Sequence, residues 1–162
     1  MELENLQDLY IHELKDLYSA ERQIIQALPK MIKAASSDKL RGGFQEHLKQ
    51  TEEHAKRLEK ILSNHGQTTR GKKCKGIEGV IAEGAEMIEE EADSEVRDAG
   101  LISAAQRVEH YEIAGYGAAR TYAELTGDSE AVRLLQTTLD EEAETDKKLS
   151  QLAKSEINVA AR

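Results

Sequence analysis

The sequence predicts an all-α protein folded as an antiparallel four-helix bundle, and three observations carry that expectation. Apolar residues recur at spacings of three and four along most of the chain, and no stretch alternates with the period of a strand. The composition, 33% charged and 39% hydrophobic with a single Pro, is that of long amphipathic helices showing one face to water. Turn signals are few and widely spaced, leaving four long helical stretches and one short one. At 162 residues the chain suits a single domain spanning 1–162, long enough to bury a core.

The first helix is expected over about residues 3–35, with Leu6, Leu9, Leu14, Leu17, Ile24, Ile25, Leu28 and Ile32 as its apolar stripe. Pro29 lies inside that stripe and predicts a kink or local break. Ser36-Ser37-Asp38 reads as a turn and a cap. The second helix, about 39–64, carries Leu40, Phe44, Leu48, Leu58, Ile61 and Leu62 and stops at Asn64-His65-Gly66. Gly42-Gly43 weakens its first turns. A polar, basic loop over 66–75 leads to a short helix at about 76–91, with Ile77, Val80, Ile81, Met87 and Ile88 on one side. Asp93-Ser94 caps the third long helix, about 95–126. Gly127-Asp128-Ser129 joins a stop to a new cap, and the fourth long helix fills about 129–154 before a frayed tail.

Loop lengths dictate the topology. The tight turns at 36–38 and 127–128 make each flanking pair of helices antiparallel neighbours. The crossover of about 30 residues between the two hairpins, carrying its own short helix, is the ferritin-like arrangement.

Charge and composition exclude several partners. The net charge of −9, from 31 acidic and 22 basic residues, argues against nucleic acid. No segment approaches the ~20 apolar residues that span a bilayer, so no membrane is expected. The acidic start Met1-Glu2-Leu3-Glu4-Asn5 is unlike a signal peptide, and the lone Cys74 forms no internal disulfide. A soluble, cytoplasmic protein is the expectation. Cys74 lies in a basic run, Lys72-Lys73-Cys74-Lys75, which suits either a reactive thiol or a packing role.

Polar residues occupy slots that the helical period reserves for the core. Glu21 falls in the middle of Leu14, Leu17, Ile24 and Leu28. Glu112, with Glu109 one turn back, interrupts Leu101, Ala105, Val108 and Ala119. Glu142 is central to Ala131, Leu135, Thr138, Leu149 and Leu152. The second helix reads Phe44, His47 or Leu48, Thr51, His54 or Ala55, Leu58, Ile61. Midpoints of antiparallel helices share one level, so these carboxylates meet in an apolar interior. Protons, a basic partner or metal must neutralise them; no Lys or Arg shares the stripes there. Carboxylates with a histidine suit iron, manganese or zinc, whereas one Glu alone on a stripe usually snorkels to water.

These residues bring out a family resemblance over about 5–155. The segment Asp98-Ala-Gly-Leu-Ile-Ser-Ala-Ala-Gln-Arg-Val-Glu-His-Tyr-Glu-Ile-Ala-Gly-Tyr-Gly117 carries it most specifically. Supporting segments are Asp16-Leu-Tyr-Ser-Ala-Glu-Arg-Gln23, Thr138-Leu-Asp-Glu-Glu142 with Asp146, and Lys73-Cys74-Lys-Gly-Ile-Glu-Gly79. The chain resembles the YciE/YciF family of ferritin-like bacterial proteins, its YciF branch more closely. That resemblance implies a bundle with a di-metal, typically di-iron, centre, a link to stress responses, and a homodimer.

The wider ferritin-like pattern supplies a Glu from each of two helices and Glu-x-x-His from each of the others. Glu21 matches the first helix, Glu142 the last, and Glu109 or Glu112 the third, in a Glu-x-x-Glu order similar to the rubrerythrins. His54 matches the second helix, but Thr51 stands where its Glu belongs, and Gln50 replaces a Glu usual in the family. Thr145 replaces the second His and leaves Asp146 to stand in. The metal set implied is Glu21, His54, Glu109, Glu112, Glu142 and Asp146.

Three functions compete at this stage. The first is a di-metal carboxylate protein that meets oxygen or peroxide in stress protection, with Tyr111 or Tyr116 as electron donors. The second is a non-catalytic dimeric scaffold or interaction module that binds metal weakly or not at all. The third, iron storage in a shell, needs symmetry contacts beyond one chain.

Overall fold

In the computed structural model, which describes residues 3–162, four long helices run antiparallel as two hairpins. They are α1 (Leu6–Ala34), α2 (Asp38–Asn64), α4 (Ser94–Leu125) and α5 (Ser129–Leu152), with the short α3 (Lys75–Glu89) on the crossover. α1 packs most extensively on α2, and α4 on α5. α1–α4 and α2–α5 contacts close the bundle, while α3 lies against α1 and α4.

The helix ends follow local chemistry. Asn5, Ser37 and Asp128 each accept a hydrogen bond from a backbone N–H in the first turn, those of Asp8, Leu40 and Ala131. Asp93 stands at the N-cap of α4 without such a bond. Gly66 and Gly127 take φ of 65° and 81°, the left-handed geometry that ends α2 and α4 cheaply only with glycine. Asp98, buried on α4, accepts from Ser36 N at 2.8 Å and Ser37 N at 2.7 Å, pinning the α1–α2 turn to the other hairpin.

Two expectations need correction. The local break expected at Pro29 does not occur: α1 continues from Leu6 to Ala34, because a helix embedded in a bundle tolerates one missing N–H bond. The C-terminal tail is not frayed. A π-helical turn (Ala153–Ile157) and the short α6 (Asn158–Ala160) continue α5, with Ala153 and Ile157 buried and contacts to α4.

The core divides into two apolar clusters. One gathers Tyr10, Leu14, Leu17, Leu58, Ile61, Leu62, Tyr116 and Leu135 at the end where α1 begins. The other gathers Ile24, Leu28, Phe44, Leu101, Ile102 and Leu149 at the opposite end. Between them the stripes turn polar.

Candidate metal centre

Each long helix delivers buried ligand-type side chains to that middle level. Glu21 comes from α1, His47 and His54 from α2, Glu109 and Glu112 from α4, and Glu142 from α5, none more than 4% exposed. Glu109 and Glu112 share a face because they are three residues apart; His47 and His54 share one because seven residues make two turns.

Two groups form around Glu142. One joins ligand atoms of His47, Glu109, Glu112 and Glu142; the other joins Glu21, His54 and Glu142; within each, all lie within 4.8 Å of one another. His47 Nε2 is 3.0 Å from Glu109 Oε1. His54 Nδ1 is 2.9 Å from Glu142 Oε1 and 3.4 Å from Glu21 Oε1. It has hydrogen-bond geometry with neither oxygen, so these contacts are electrostatic.

The donor atoms are short of hydrogen-bond partners. Among the described residues, both oxygens of Glu112 and Glu142, one oxygen each of Glu21 and Glu109, both nitrogens of His47 and Nδ1 of His54 are buried without a hydrogen bond. At about 1–3 kcal/mol for each unsatisfied buried group, the sum is on the order of 10 kcal/mol, comparable to the whole stability of a domain. Protons or cations must offset it. The only basic side chains in ion-pair reach of these four carboxylates, among the described residues, are His47 and His54.

The protonation pattern of the metal-free chain reflects this shortage. Burial raises Glu112 well above the usual carboxylate range, and the charges of Glu142, Glu21 and Glu109 add to it. Burial raises Glu109 likewise, followed by its closeness to Glu142. Burial also pushes Glu142 upward, but Glu109, His54 and His47 outweigh it and hold Glu142 low. For His54 burial acts downward, yet the neighbouring Glu142 and Glu21 carry it up to about 10. His47 is lowered, chiefly by burial, and stays neutral. Protons therefore occupy the centre where cations fit: two histidines and four carboxylates, with free lone pairs aimed inward, form a donor set suited to two first-row metal ions.

A second layer orients the first. His54 Nε2 lies 2.8 Å from Glu141 Oε2, and Arg57 clamps Glu141 with bonds of 2.6 and 3.0 Å while donating to Thr138 Oγ1 at 3.1 Å. When Nδ1 gives up its proton to a cation, the hydrogen bond to Glu141 favours keeping the remaining proton on Nε2. Tyr116, fully buried, donates a short hydrogen bond to Glu21 Oε1. Thr51 turns back to its own helix, bonding the His47 carbonyl at 2.8 Å.

Of the residues expected from the sequence, Glu21, His54, Glu109, Glu112 and Glu142 come together, and Asp146 does not. Asp146 accepts from Gln106 Nε2 at 3.0 Å and faces His110 at 3.2 Å on the outer side of α4 and α5. One position beyond Thr145 on a helix turns a side chain by about 100°, which takes it off the inward stripe. His47 is the residue sequence reasoning passed over. Its signal was the seven-residue spacing to His54, hidden by the search for Glu-x-x-His. Glu141, which is adjacent to Glu142 and off the inward stripe, is half-buried beside Arg57. Cys74 is 1% exposed, its Sγ lies 3.0 Å from the Tyr111 hydroxyl and burial raises its pKa, all of which favour the packing role over the reactive one.

No helix among the described residues is long and apolar enough to cross a membrane. Comparison with known proteins agrees with this architecture. Protein YciF of Escherichia coli (strain K12) is 43% identical over 162 residues, covering 99% of this chain and 98% of its own. The crystal structure of the E. coli stress protein YciF superposes with a TM-score of 0.92 at 44% identity, covering 96% of this chain and 98% of that one. YcfI from Rhodopseudomonas palustris, for which a structural role has been suggested, superposes at 0.89 with 42% identity, covering 92% and 95%. A family model described as a domain of unknown function, DUF892, matches residues 5–162, and with these relatives it places the chain in the YciF-like DUF892 family.

Proposed function

We propose that this chain is a dinuclear metal-binding carboxylate protein that serves a bacterial stress response. The observation that supports the reading most is the level of buried, unpartnered carboxylate oxygens and histidine nitrogens between two apolar clusters. One ion would be held by Glu21, His54 and Glu142, the other by His47, Glu109, Glu112 and Glu142, with Glu142 common to both groups. Iron is the leading metal, with manganese or zinc as alternatives for an oxygen- and nitrogen-rich set. Such ions supply Lewis acidity and, for iron or manganese, one-electron chemistry toward oxygen or peroxide.

The chain's own residues hold and prepare the place. Arg57 and Glu141 fix the His54 ring, Tyr116 steadies Glu21, and the apolar cluster around Tyr10 and Leu14 keeps bulk water from that side. The stress role extends to this chain what the E. coli relative is called. Metal analysis of protein purified without chelator tests the reading. About two equivalents per chain and a raised Tm on metal addition are expected; no iron, manganese or zinc and no thermal response would overturn it.

A second reading, a non-catalytic dimeric scaffold, draws on the structural role suggested for the R. palustris relative. It requires that Glu21→Gln and Glu142→Gln alter stability identically with and without metal. Particle sizing separates the dimer that the family resemblance implies from a storage shell.

A further inference from the structure

A cavity of about 560 Å³ lies beside the metal centre, at the end of the bundle where α1 finishes. Its walls are apolar: Ile24, Leu28, Phe44, Ile81, Val108 and Leu149 come from all five of the longer helices. Small residues keep it open, among them Ala27, Gly84, Ala104 and Ala105. At its inner wall stand His47 and Glu109, the two centre residues that it exposes. The opposite side of the centre is packed by Tyr10, Tyr116 and the leucines around them.

The volume is far beyond what dioxygen or a peroxide needs, and falls within the about 300–1,000 Å³ of sites for organic molecules. The apolar walls reject a polar solute, which would lose its hydration without compensation. The rim gives the sign of the ligand. Exposed Lys30, Lys39, Lys73 and Lys148 line it against only Glu46 and Glu78, an excess of positive charge on a chain of net −9. Lys39, Lys73 and Lys148 form surface pairs with Glu156, Glu78 and Glu46 that cost little to open. Lys30 has no carboxylate in ion-pair reach among the described residues.

We propose that this cavity binds a free fatty acid, with its alkyl chain among the apolar walls toward His47 and Glu109 and its carboxylate among the rim lysines. The proposal goes beyond the metal reading and needs no metal to be bound.

Chelator-treated and metal-loaded full-length protein, each titrated with laurate and with cis-parinaric acid, test it. Saturable binding of one molecule per chain is expected in both preparations. From octanoate to laurate the affinity should rise about threefold to fourfold per methylene, and acetate should not bind. The exposed pair Lys30→Glu with Lys148→Glu should weaken laurate at least about fivefold and leave dodecanol unchanged. Ala105→Phe should fill the cavity and remove binding of both; if circular dichroism shows it unfolded, the rim pair and the chain-length series decide. Absence of saturable binding, or an affinity indifferent to chain length and rim charge, would overturn the proposal. So would binding confined to the metal-loaded protein, which would put the carboxylate on the metal. Because the chelator-treated arm is read separately, failure of metal binding and failure of fatty-acid binding are distinguishable.

Discussion

Replacing Glu112 with Gln should stabilise the metal-free protein and weaken the metal-loaded one. Both Glu112 oxygens are buried without a partner, and burial raises its pKa well above the usual range. A folded-state pKa above the unfolded value of about 4.3 contributes stability that is complete below that value. It is lost as pH rises toward the folded value, at up to about 1.4 kcal/mol per unit. Metal-free wild type therefore weakens as pH rises above about 5, until the raised folded-state pKa is passed. Gln is nearly isosteric with the protonated acid and carries no charge, so it removes that loss. Replacing a buried, poorly compensated charge gains about 1–3 kcal/mol near neutral pH, or roughly 2–12 °C in Tm for a chain of this size. Near pH 5 the gain should vanish. With saturating manganese the sign inverts, because a site weakened about a thousandfold by the lost carboxylate gives up about 4 kcal/mol of linkage, more than the gain. Scanning calorimetry at both pH values, with chelator or excess metal, reads all four cases. A change of equal sign and size with and without metal would refute the reasoning.

Three further outcomes separate the roles of neighbouring residues. His47→Ala should reduce bound metal from about two equivalents to about one, whereas Asp146→Asn should leave it unchanged, as read by elemental analysis. Glu141→Gln leaves every proposed ligand in place but loosens the His54 ring, so metal affinity should fall about 10–100-fold in competition with a chromogenic chelator. Asp98→Ala removes two charge-assisted bonds to the α1–α2 turn and should cost about 2–4 kcal/mol in urea unfolding, with metal stoichiometry preserved.

The bundle was legible because periodicity and loop length are local signals. Leu14, Leu17, Ile24 and Leu28 mark a face, and the turns at 36–38 and 127–128 leave each hairpin only one way to close. The inward glutamates were legible for the same reason, as interruptions of an apolar stripe. What escaped depends on atoms from distant parts of the chain. His47 counts as a centre residue only because Glu109 meets it across the bundle at 3.0 Å. Glu141 leaves the solvated class only because Arg57, eighty-four positions away, covers it. Asp98 belongs to α4, but its work is done at the backbone of Ser36 and Ser37. Asp146 illustrates the converse: replacing a missing ligand with its sequence neighbour ignores the rotation between consecutive helical positions. The tail escaped because Ile157 follows the polar run Lys154-Ser155-Glu156, which breaks the apolar stripe, and its burial depends on α4.

Anomalous diffraction across the iron, manganese and zinc edges, on crystals of protein purified without chelator, tests the central claim most directly. The account predicts two peaks inside the bundle, one within bonding distance of Glu21, His54 and Glu142 and the other of His47, Glu109, Glu112 and Glu142. Ordered density with no anomalous signal at that level, and the same carboxylates hydrogen-bonded to water instead, would contradict it.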